Sequence, residues 1–289
     1  MLLGVIEISL RSTRVSAADV GTETSSRLLA REHAIAARQE NIERLTSLLM
    51  AEVEMLRDLG ASGIEVTASP ELRGTRLIRL LDRVSSAVGS GSIRIPSRRE
   101  IAAAAFLGAT VAAEARDDEQ VTVARVGEAG VEVASGTAGR VPGWFGSRPV
   151  GTTAIARKAR FSNPPRQDQV EAALTGATRA LGTLIAPPGE RAIVVSSRAE
   201  QVANLCGPRI GPGEVRTGLE SIRELRTEDL AARFGIGPAE ARGLIPAMVV
   251  HGALSEAFGQ PVEPLAGDPV AGRRWLAEAD RVFAGRRPG

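Results

Sequence analysis

The chain opens with two short apolar segments that fit a β-hairpin. Residues 3–10 have the pattern of a buried strand, and residues 13–20 fit an antiparallel partner. Apolar positions then repeat at helical spacing from 38 to 59, and Gly60 ends that helix. Strands are predicted next at 63–69 and 92–97, and helices at 74–88 and 98–115. A hairpin followed by alternating strands and helices predicts an α/β layer with helices packed on a sheet.

The same pattern starts again after the charged connector at 114–120. Strands are predicted at 121–126, 130–134 and 191–197, a helix at 167–182, and mostly helical structure from 216 to 258. The part from 246 to 258 has the pattern of an amphipathic helix, for which we expect packing in the core or between subunits instead of a membrane role. Because the chain opens a hairpin twice, we predict two related domains, 1–117 and 118–289, which face each other across a cleft.

Composition narrows the class of protein. The chain has 289 residues, of which 43% are hydrophobic, enough for one large or two smaller cores. A single cysteine, Cys206, permits no internal disulfide and reads as a small buried hydrophobe. The first ten residues make a poor signal peptide because Glu7 interrupts them, and the apolar run at 101–113 is too short to span a bilayer. We therefore expect a cytoplasmic protein without membrane association.

Charge and histidine content add little chemistry. The net charge is +2, and Lys158 is the one lysine, so nearly all positive charge is arginine. Without a basic run or interleaved aromatics, the sequence does not favour a nucleic-acid partner. His33 and His251 have no second histidine or carboxylate at ligand spacing, so we interpret both as structural.

Several short segments, in order, carry a resemblance to a known family. They are E-I-S-L-R-S-T-R (7–14), A-S-P-E-L-R (68–73), P-S-R-R-E-I-A-A-A-A-F-L-G (96–108), R-V-G-E-A-G-V-E (125–132), the stretch V-G-T-T-A-I-A-R-K-A-R-F-S-N-P-P (150–165), and S-S-R (196–198). The chain thereby resembles the exopolyphosphatase and guanosine pentaphosphate phosphohydrolase family (Ppx/GppA), within the superfamily of actin-like ATPases, sugar kinases and heat-shock proteins. That resemblance implies two actin-like, ribonuclease H-like domains, with mixed sheets flanked by helices and a cleft between them.

The resemblance also implies where the chemistry of such a phosphohydrolase should lie. Carboxylates should hold a divalent cation, glycine-rich turns should approach phosphate closely, and a carboxylate should act as base. Matched to the family's segments, Glu7 takes the place of the first-loop Asp and remains a candidate for a weak metal ligand. Arg125 takes the place of the second-loop Asp, while Gly127 and the closing Glu132 are kept. Ile101, which cannot accept a proton, falls on the position of the family's proposed base.

These replacements predict a phosphohydrolase fold that has lost catalysis and needs no cofactor. The three segments matched to the family's loops, 7–14, 125–132 and 196–198, each contain an arginine where the loop has changed. The segment at 68–73 keeps a fourth arginine. We expect the cleft to bind either a protein or a phosphate-rich ligand, polyphosphate or guanosine tetra- or pentaphosphate, the latter through bidentate contacts instead of a metal. The candidate ligand-binding residues are Arg11, Ser12, Arg73, Arg125, Gly127 and Arg198.

Two other interpretations stay open. The chain could be an active, Mg²⁺-dependent hydrolase with a rebuilt site, in which Glu100 or Glu132 is the base and Glu7 binds the metal. It could instead be a structural or regulatory protein whose cleft is empty and which acts through a protein partner or a homodimer. Metal-dependent turnover would select the first of these, and phosphate-chain binding without metal would exclude the second.

Overall fold

A computed structural model describes residues 2–9, 13–19, 26–33, 35, 39–72, 78, 79, 82, 85, 86, 93–187 and 189–267. Among these the chain forms two compact units, one that extends to Glu100 and one that spans Ile101–Gly267. Three predicted ligand-binding residues, Arg11, Ser12 and Arg73, lie outside the described residues. So do most of the predicted helix at 74–88 and the end of the chain from residue 268.

The first unit is built on a four-stranded mixed sheet. Its strands are β1 (Leu2–Ile8), β2 (Thr13–Asp19), β3 (Ser26–His33) and β4 (Gly63–Ala68), in the order β3-β2-β1-β4. The central strand β1 pairs antiparallel with β2 and parallel with β4. A parallel bridge between Thr67 and Arg94 continues the sheet beyond β4, at the position of the strand predicted at 92–97.

Helix α1 (Ile42–Asp58) covers this sheet with the face that its sequence predicts. Leu45, Leu49, Val53 and Leu56 are buried on that face and form one core with the apolar side chains of the sheet. The last turn passes into Gly60, whose positive φ of 85° is a backbone conformation that glycine adopts without a steric cost. Helical periodicity therefore fixed both the face and the end of α1.

The second unit repeats the arrangement with one more complete strand. Its strands are β5 (Gln120–Val126), β6 (Val131–Thr137), β7 (Trp144–Arg148), β8 (Arg191–Ser196) and β9 (Glu263–Ala266). The sheet has the order β7-β6-β5-β8-β9, and β5 pairs antiparallel with β6 and parallel with β8. The outer strand β9 is tied to β8 by Arg191, whose Nη2 lies 2.6 Å from Oε2 of Glu263.

Helices make up most of the remaining described chain. Their bounds are α2 (Arg98–Ala112), α3 (Thr152–Ala159), α4 (Gln167–Leu181), α5 (Ala199–Cys206), α6 (Pro212–Ile222), α7 (Thr227–Phe234), α8 (Pro238–Ala241) and α9 (Leu244–Phe258). Helix α9 is buried from Leu244 to Ser255. The helix expected at 246–258 therefore packs in the core, as predicted, but it has no polar face along most of its length, because neighbouring helices and the sheet surround it up to Ser255.

The two sheets share their strand order, with an antiparallel three-stranded part followed by parallel strands. This confirms the predicted fold class of two mixed sheets flanked by helices. The boundary between the two compact units falls between Glu100 and Ile101, inside α2. The boundary expected at 117/118 stays a prediction.

Each histidine lies near a polar side chain that is distant in sequence. Nε2 of His33, at the end of β3, lies 2.8 Å from Oε1 of the buried Glu52 in α1. His251 is fully buried in α9, where Nδ1 lies 2.8 Å from the carbonyl oxygen of Ala247 and Nε2 faces the Ser196 hydroxyl at 3.5 Å. Burial lowers the pKa of His251 to about 4, so its imidazole is neutral at physiological pH.

Two further observations bear on the expectations from composition. Cys206 is buried, and burial, with a smaller effect of Glu214, raises the pKa of its thiol to about 11. The thiolate that reacts with oxidants or metals is therefore scarce at neutral pH. In the part of the chain that the structure describes, no helix combines the length and apolar character needed to cross a membrane.

The burial of His251 predicts a loss of stability in mild acid. The pKa is 6.5 in an unfolded reference and about 4 in the folded protein, so between these values the unfolded chain binds more protons. Stability is complete above the unfolded pKa and falls as pH drops toward the folded one. We expect the free energy of unfolding of the second unit to fall by about 2 kcal/mol from about pH 7 to pH 5 through this group.

Urea unfolding of the wild type and of His251→Gln at both pH values checks this, with His33→Gln as the matched control. The acid-induced loss should shrink in His251→Gln and persist in His33→Gln. An equal pH dependence in the wild type and His251→Gln would contradict it.

Candidate functional site

The carboxyl ends of β5 and β8 place two of the predicted loops at one edge of the second sheet. Arg125 of β5 is in register with Val195 of the parallel strand β8. The turn after β5 begins at Gly127, and the segment 196–198 begins with the last residue of β8, so both lie at the same edge. Ligands of open α/β sheets bind preferentially outside the carboxyl ends of the strands. This edge is therefore the candidate site of the second unit.

Arg125, Gly127 and Glu132 come together at that edge. Arg125 and Glu132 face each other across β5 and β6, and Arg125 Nη1 lies 3.3 Å from Glu132 Oε2. The Glu132 side chain is 4% exposed and that of Arg125 31% exposed. A Cβ on Gly127 would lie 3.0 Å from Arg125 Nη1, so the guanidinium passes close over the turn. The buried carboxylate of Glu132 is thus paired with the guanidinium of Arg125.

The carbonyl groups of this turn close onto the start of α3. Gly127 N donates to Gly130 O at 2.9 Å, which makes the turn tight. The carbonyl oxygens of Gly127 and Glu128 accept hydrogen bonds from the backbone N–H groups of Thr152 and Thr153, at 3.1 and 2.9 Å. These are donors of a helix N-terminus that a bound anion would otherwise satisfy. The turn itself therefore caps α3.

Arg198 follows β8 at the same edge, but its side chain is committed to a neighbouring helix junction. Its Nε donates to the carbonyl oxygen of Glu240 at 3.0 Å, and Nη1 donates to Ser197 Oγ at 3.2 Å. The guanidinium lies flat against Gly243, where a Cβ would approach Arg198 Cζ to 2.5 Å. Arg198 thus ties the loop after β8 to the segment between α8 and α9.

Glu100 has a structural role at the start of α2. Its Oε2 accepts a hydrogen bond from Ser97 N at 2.5 Å, and Ser97 Oγ accepts from Glu100 N at 3.2 Å, which together form a capping box. Oε1 accepts from Arg94 Nη2 at 2.8 Å. Burial acts to raise the pKa of Glu100, but the hydrogen bonds with Ser97 and Arg94 outweigh it, so the pKa lies below its ordinary value. A carboxyl with a lowered pKa is a weak general base.

Glu7 lies on the central strand of the first sheet. It is partly buried near the end of β1, in register with Arg14 of β2 and Thr67 of β4. Ile101, which the resemblance predicts to fall on the position of the family's proposed base, is the next residue of α2 after Glu100. Within the described ranges, no group of three or more His, Cys, Asp or Glu side chains is placed to hold a metal ion. Glu7 as a metal ligand stays a prediction.

Some residues that shape this edge were missed from sequence. Gly151 lies against the turn so closely that a Cβ there would be 2.3 Å from Glu128 O, and no sequence pattern indicates this contact. The role of Glu100 had a signal, because Ser97 and Glu100 form the S-x-x-E signature of a helix start.

Solved structures with the same fold identify the architecture. A Ppx/GppA family member from Aquifex aeolicus aligns with a TM-score of 0.78 and 16% identity, over 100% of this chain and 99% of that chain. An exopolyphosphatase from Cytophaga hutchinsonii aligns with a TM-score of 0.74 and 13% identity, over 98% of each chain. An exopolyphosphatase-like protein aligns with a TM-score of 0.75 and 17% identity, also over 98% of each chain.

The chain has the fold of the Ppx/GppA phosphatases. This confirms the resemblance inferred from the short segments, at the level of the fold. No protein-family model matches the chain, and no curated protein matches it by sequence. Identities of 13–17% establish a shared architecture and leave the activity to be argued from the residues of the site.

A double-mutant cycle will measure how strongly Arg125 neutralises Glu132. We expect Arg125→Met to destabilise the second unit, because it removes the cation that faces a buried carboxylate. Glu132→Gln should relieve most of that loss, which corresponds to a coupling energy of about 1–3 kcal/mol. Urea unfolding of both single variants and the double variant gives the value. A coupling near zero would mean that the buried Glu132 does not depend on Arg125 for its stability.

The close packing of Gly151 on the turn predicts that any side chain there is harmful. Gly151→Ala should destabilise the second unit by about 1–3 kcal/mol, because rigid backbone would have to move. Gly213→Ala is the matched control, since a Cβ at that position in α6 meets nothing within 4 Å. It should be neutral or slightly stabilising. Equal stability of the two variants would show that the turn moves freely away from α3.

Proposed function

We propose that this protein is an exopolyphosphatase-like protein that does not hydrolyse phosphate chains and instead binds a phosphate-rich ligand without a metal. The observation that carries the proposal is the ion pair between Arg125 and Glu132. The ligand class is polyphosphate or guanosine tetra- or pentaphosphate.

The loss of turnover follows from the state of the carboxylates. Metal-assisted hydrolysis of a phosphate chain needs carboxylate oxygens around the cation and a base for the attacking water. At the second-loop position the chain has Arg125, whose positive charge would repel Mg²⁺ and which pairs with Glu132. Glu100 caps α2, and the pKa of its carboxyl is lowered. Ile101 has no ionisable group. These positions therefore supply neither a metal cage nor a base.

Ligand binding is proposed from the arginine chemistry of the same edge. A guanidinium binds phosphate oxygens in a planar, bidentate geometry. The Arg125 side chain is 31% exposed and stands beside the Gly127 turn, within reach of a ligand outside the sheet edge. Two of the solved structures with this fold are named as an exopolyphosphatase and an exopolyphosphatase-like protein, and we carry that ligand class over to this chain.

The ion pair determines whether each of two substitutions should weaken or strengthen the binding of a phosphate chain. A phosphate chain must compete with Glu132 for Arg125, so the carboxylate should weaken binding. We expect Arg125→Ala to reduce the affinity for polyphosphate several-fold, and Glu132→Gln to increase it by a few-fold. Arg216→Ala, which removes an exposed arginine on α6, is the matched control and should have no effect.

The decisive experiment measures phosphate release and polyphosphate binding on the same preparations. Release from long-chain polyphosphate is followed with and without Mg²⁺ or Mn²⁺, with Glu132→Gln purified in parallel to detect contaminating host enzyme. We expect no release above that background and binding that persists in chelator and weakens with added salt. Metal-dependent release that vanishes in Glu132→Gln would establish an active enzyme with a rebuilt site. Equal binding by the wild type, Arg125→Ala and Arg216→Ala would exclude a ligand site at Arg125.

A further inference from the structure

A pocket of about 420 Å³ lies in the second unit, where the loop after α3 meets the start of α7 and the junction of α8 and α9. None of the residues predicted for phosphate chemistry lines it. The lining residues are Phe161, Ser162, Asn163, Pro165, Leu225, Thr227, Glu228, Leu230, Ala241, Arg242 and Ile245. A cavity of this volume is in the range that holds small organic molecules.

The pocket is apolar at its base and charged at its rim. Leu230, Ala241 and Ile245 are buried, with exposed fractions of 3%, 1% and 6%. Glu228 and Arg242 line the same pocket and are exposed, so an anionic and a cationic group stand near its opening. A ligand that fits this distribution has an apolar body and carries both charges.

Hydrogen bonds hold the polar part of the pocket in place. Asn163 Oδ1 accepts from Thr227 N at 2.8 Å, and Asn163 Nδ2 donates to Glu228 Oε2 at 3.3 Å. The backbone N–H of Glu228 and then the amide of Asn163 lower the pKa of the Glu228 carboxyl, so it is ionised at neutral pH. The loop before Asn163 is fixed by Gln169, whose Oε1 accepts from Ser162 N at 3.1 Å. These hydrogen bonds fix Asn163 and Glu228 relative to each other at the pocket.

We propose that this pocket binds a small zwitterion with an apolar body, the chemistry of a free α-amino acid the size of leucine or phenylalanine. Its ammonium group pairs with Glu228, its carboxylate pairs with Arg242, and its side chain occupies the apolar base formed by Leu230 and Ile245. Since none of the residues proposed to bind phosphate lines this pocket, the site is independent of the function proposed above.

L-phenylalanine is the test ligand, titrated into the full chain by ligand-observed NMR. N-acetylphenylalanine lacks the ammonium group and phenylalaninamide lacks the carboxylate, so each should bind about tenfold more weakly than phenylalanine. Glu228→Gln should remove the preference over N-acetylphenylalanine and leave that over phenylalaninamide. Arg242→Gln should do the reverse. Both side chains are exposed, so the variants should fold, and Arg216→Gln is the control that changes neither preference.

Each of three results would overturn the proposal. One is the absence of phenylalanine binding up to about 10 mM, since a charge-paired, partly buried ligand should bind more tightly than that. Another is a ligand preference that neither Glu228→Gln nor Arg242→Gln alters. The third is a loss of ligand preference in Arg216→Gln equal to the loss in the two pocket variants.

Discussion

A buried carboxylate at the edge of the second sheet must be neutralised, and the interpretation of the site depends on how the chain achieves this. Glu132 is 4% exposed, and an ionised carboxylate in such surroundings is costly unless a positive charge accompanies it. In a metal-dependent hydrolase a divalent cation can have that role. Here Arg125 has it, from the facing position of the neighbouring strand. The protein therefore carries its own permanent counter-ion, and a metal would have to displace it.

The sheet topology extends this constraint to the loops around the pair. Because β5 and β8 are parallel neighbours, the turn at Gly127 and the segment at Ser197–Arg198 emerge at one edge. The turn directs its carbonyl groups at the start of α3, and Arg198 binds the carbonyl of Glu240. The Gly127 turn and Arg198, which the sequence predicts to bind phosphate, thus cap and fasten neighbouring helices. In a chain with the Ppx/GppA fold, these positions stabilise the structure.

Local pattern predicted the elements that depend on local physics. Helix α1 was predicted with the correct buried face because helical spacing determines which side chains share a side. The strands β3, β7 and β9 were missed, since each is an edge strand that one neighbour holds in place and none has a strong alternation of its own. The Gly- and Pro-rich stretch that contains β7 even favours a loop. The sequence of helix α9 suggests an amphipathic helix because His251, Ser255 and Glu256 are polar, yet the first two are buried against partners that only the fold brings to them.

The sequence by itself determined the two hairpin-led α/β halves and the family whose fold they resemble, because these follow from periodicity and from the order of short segments. Tertiary structure alone decided what the charged residues do. That Arg125 neutralises Glu132, that His33 meets Glu52, and that Glu228 and Arg242 share a pocket all depend on strand register and helix packing. The physical reason is that an ionisable side chain acquires its role from the charge, hydrogen bonds and burial around it. Residues distant in the chain supply that environment once the fold brings them together.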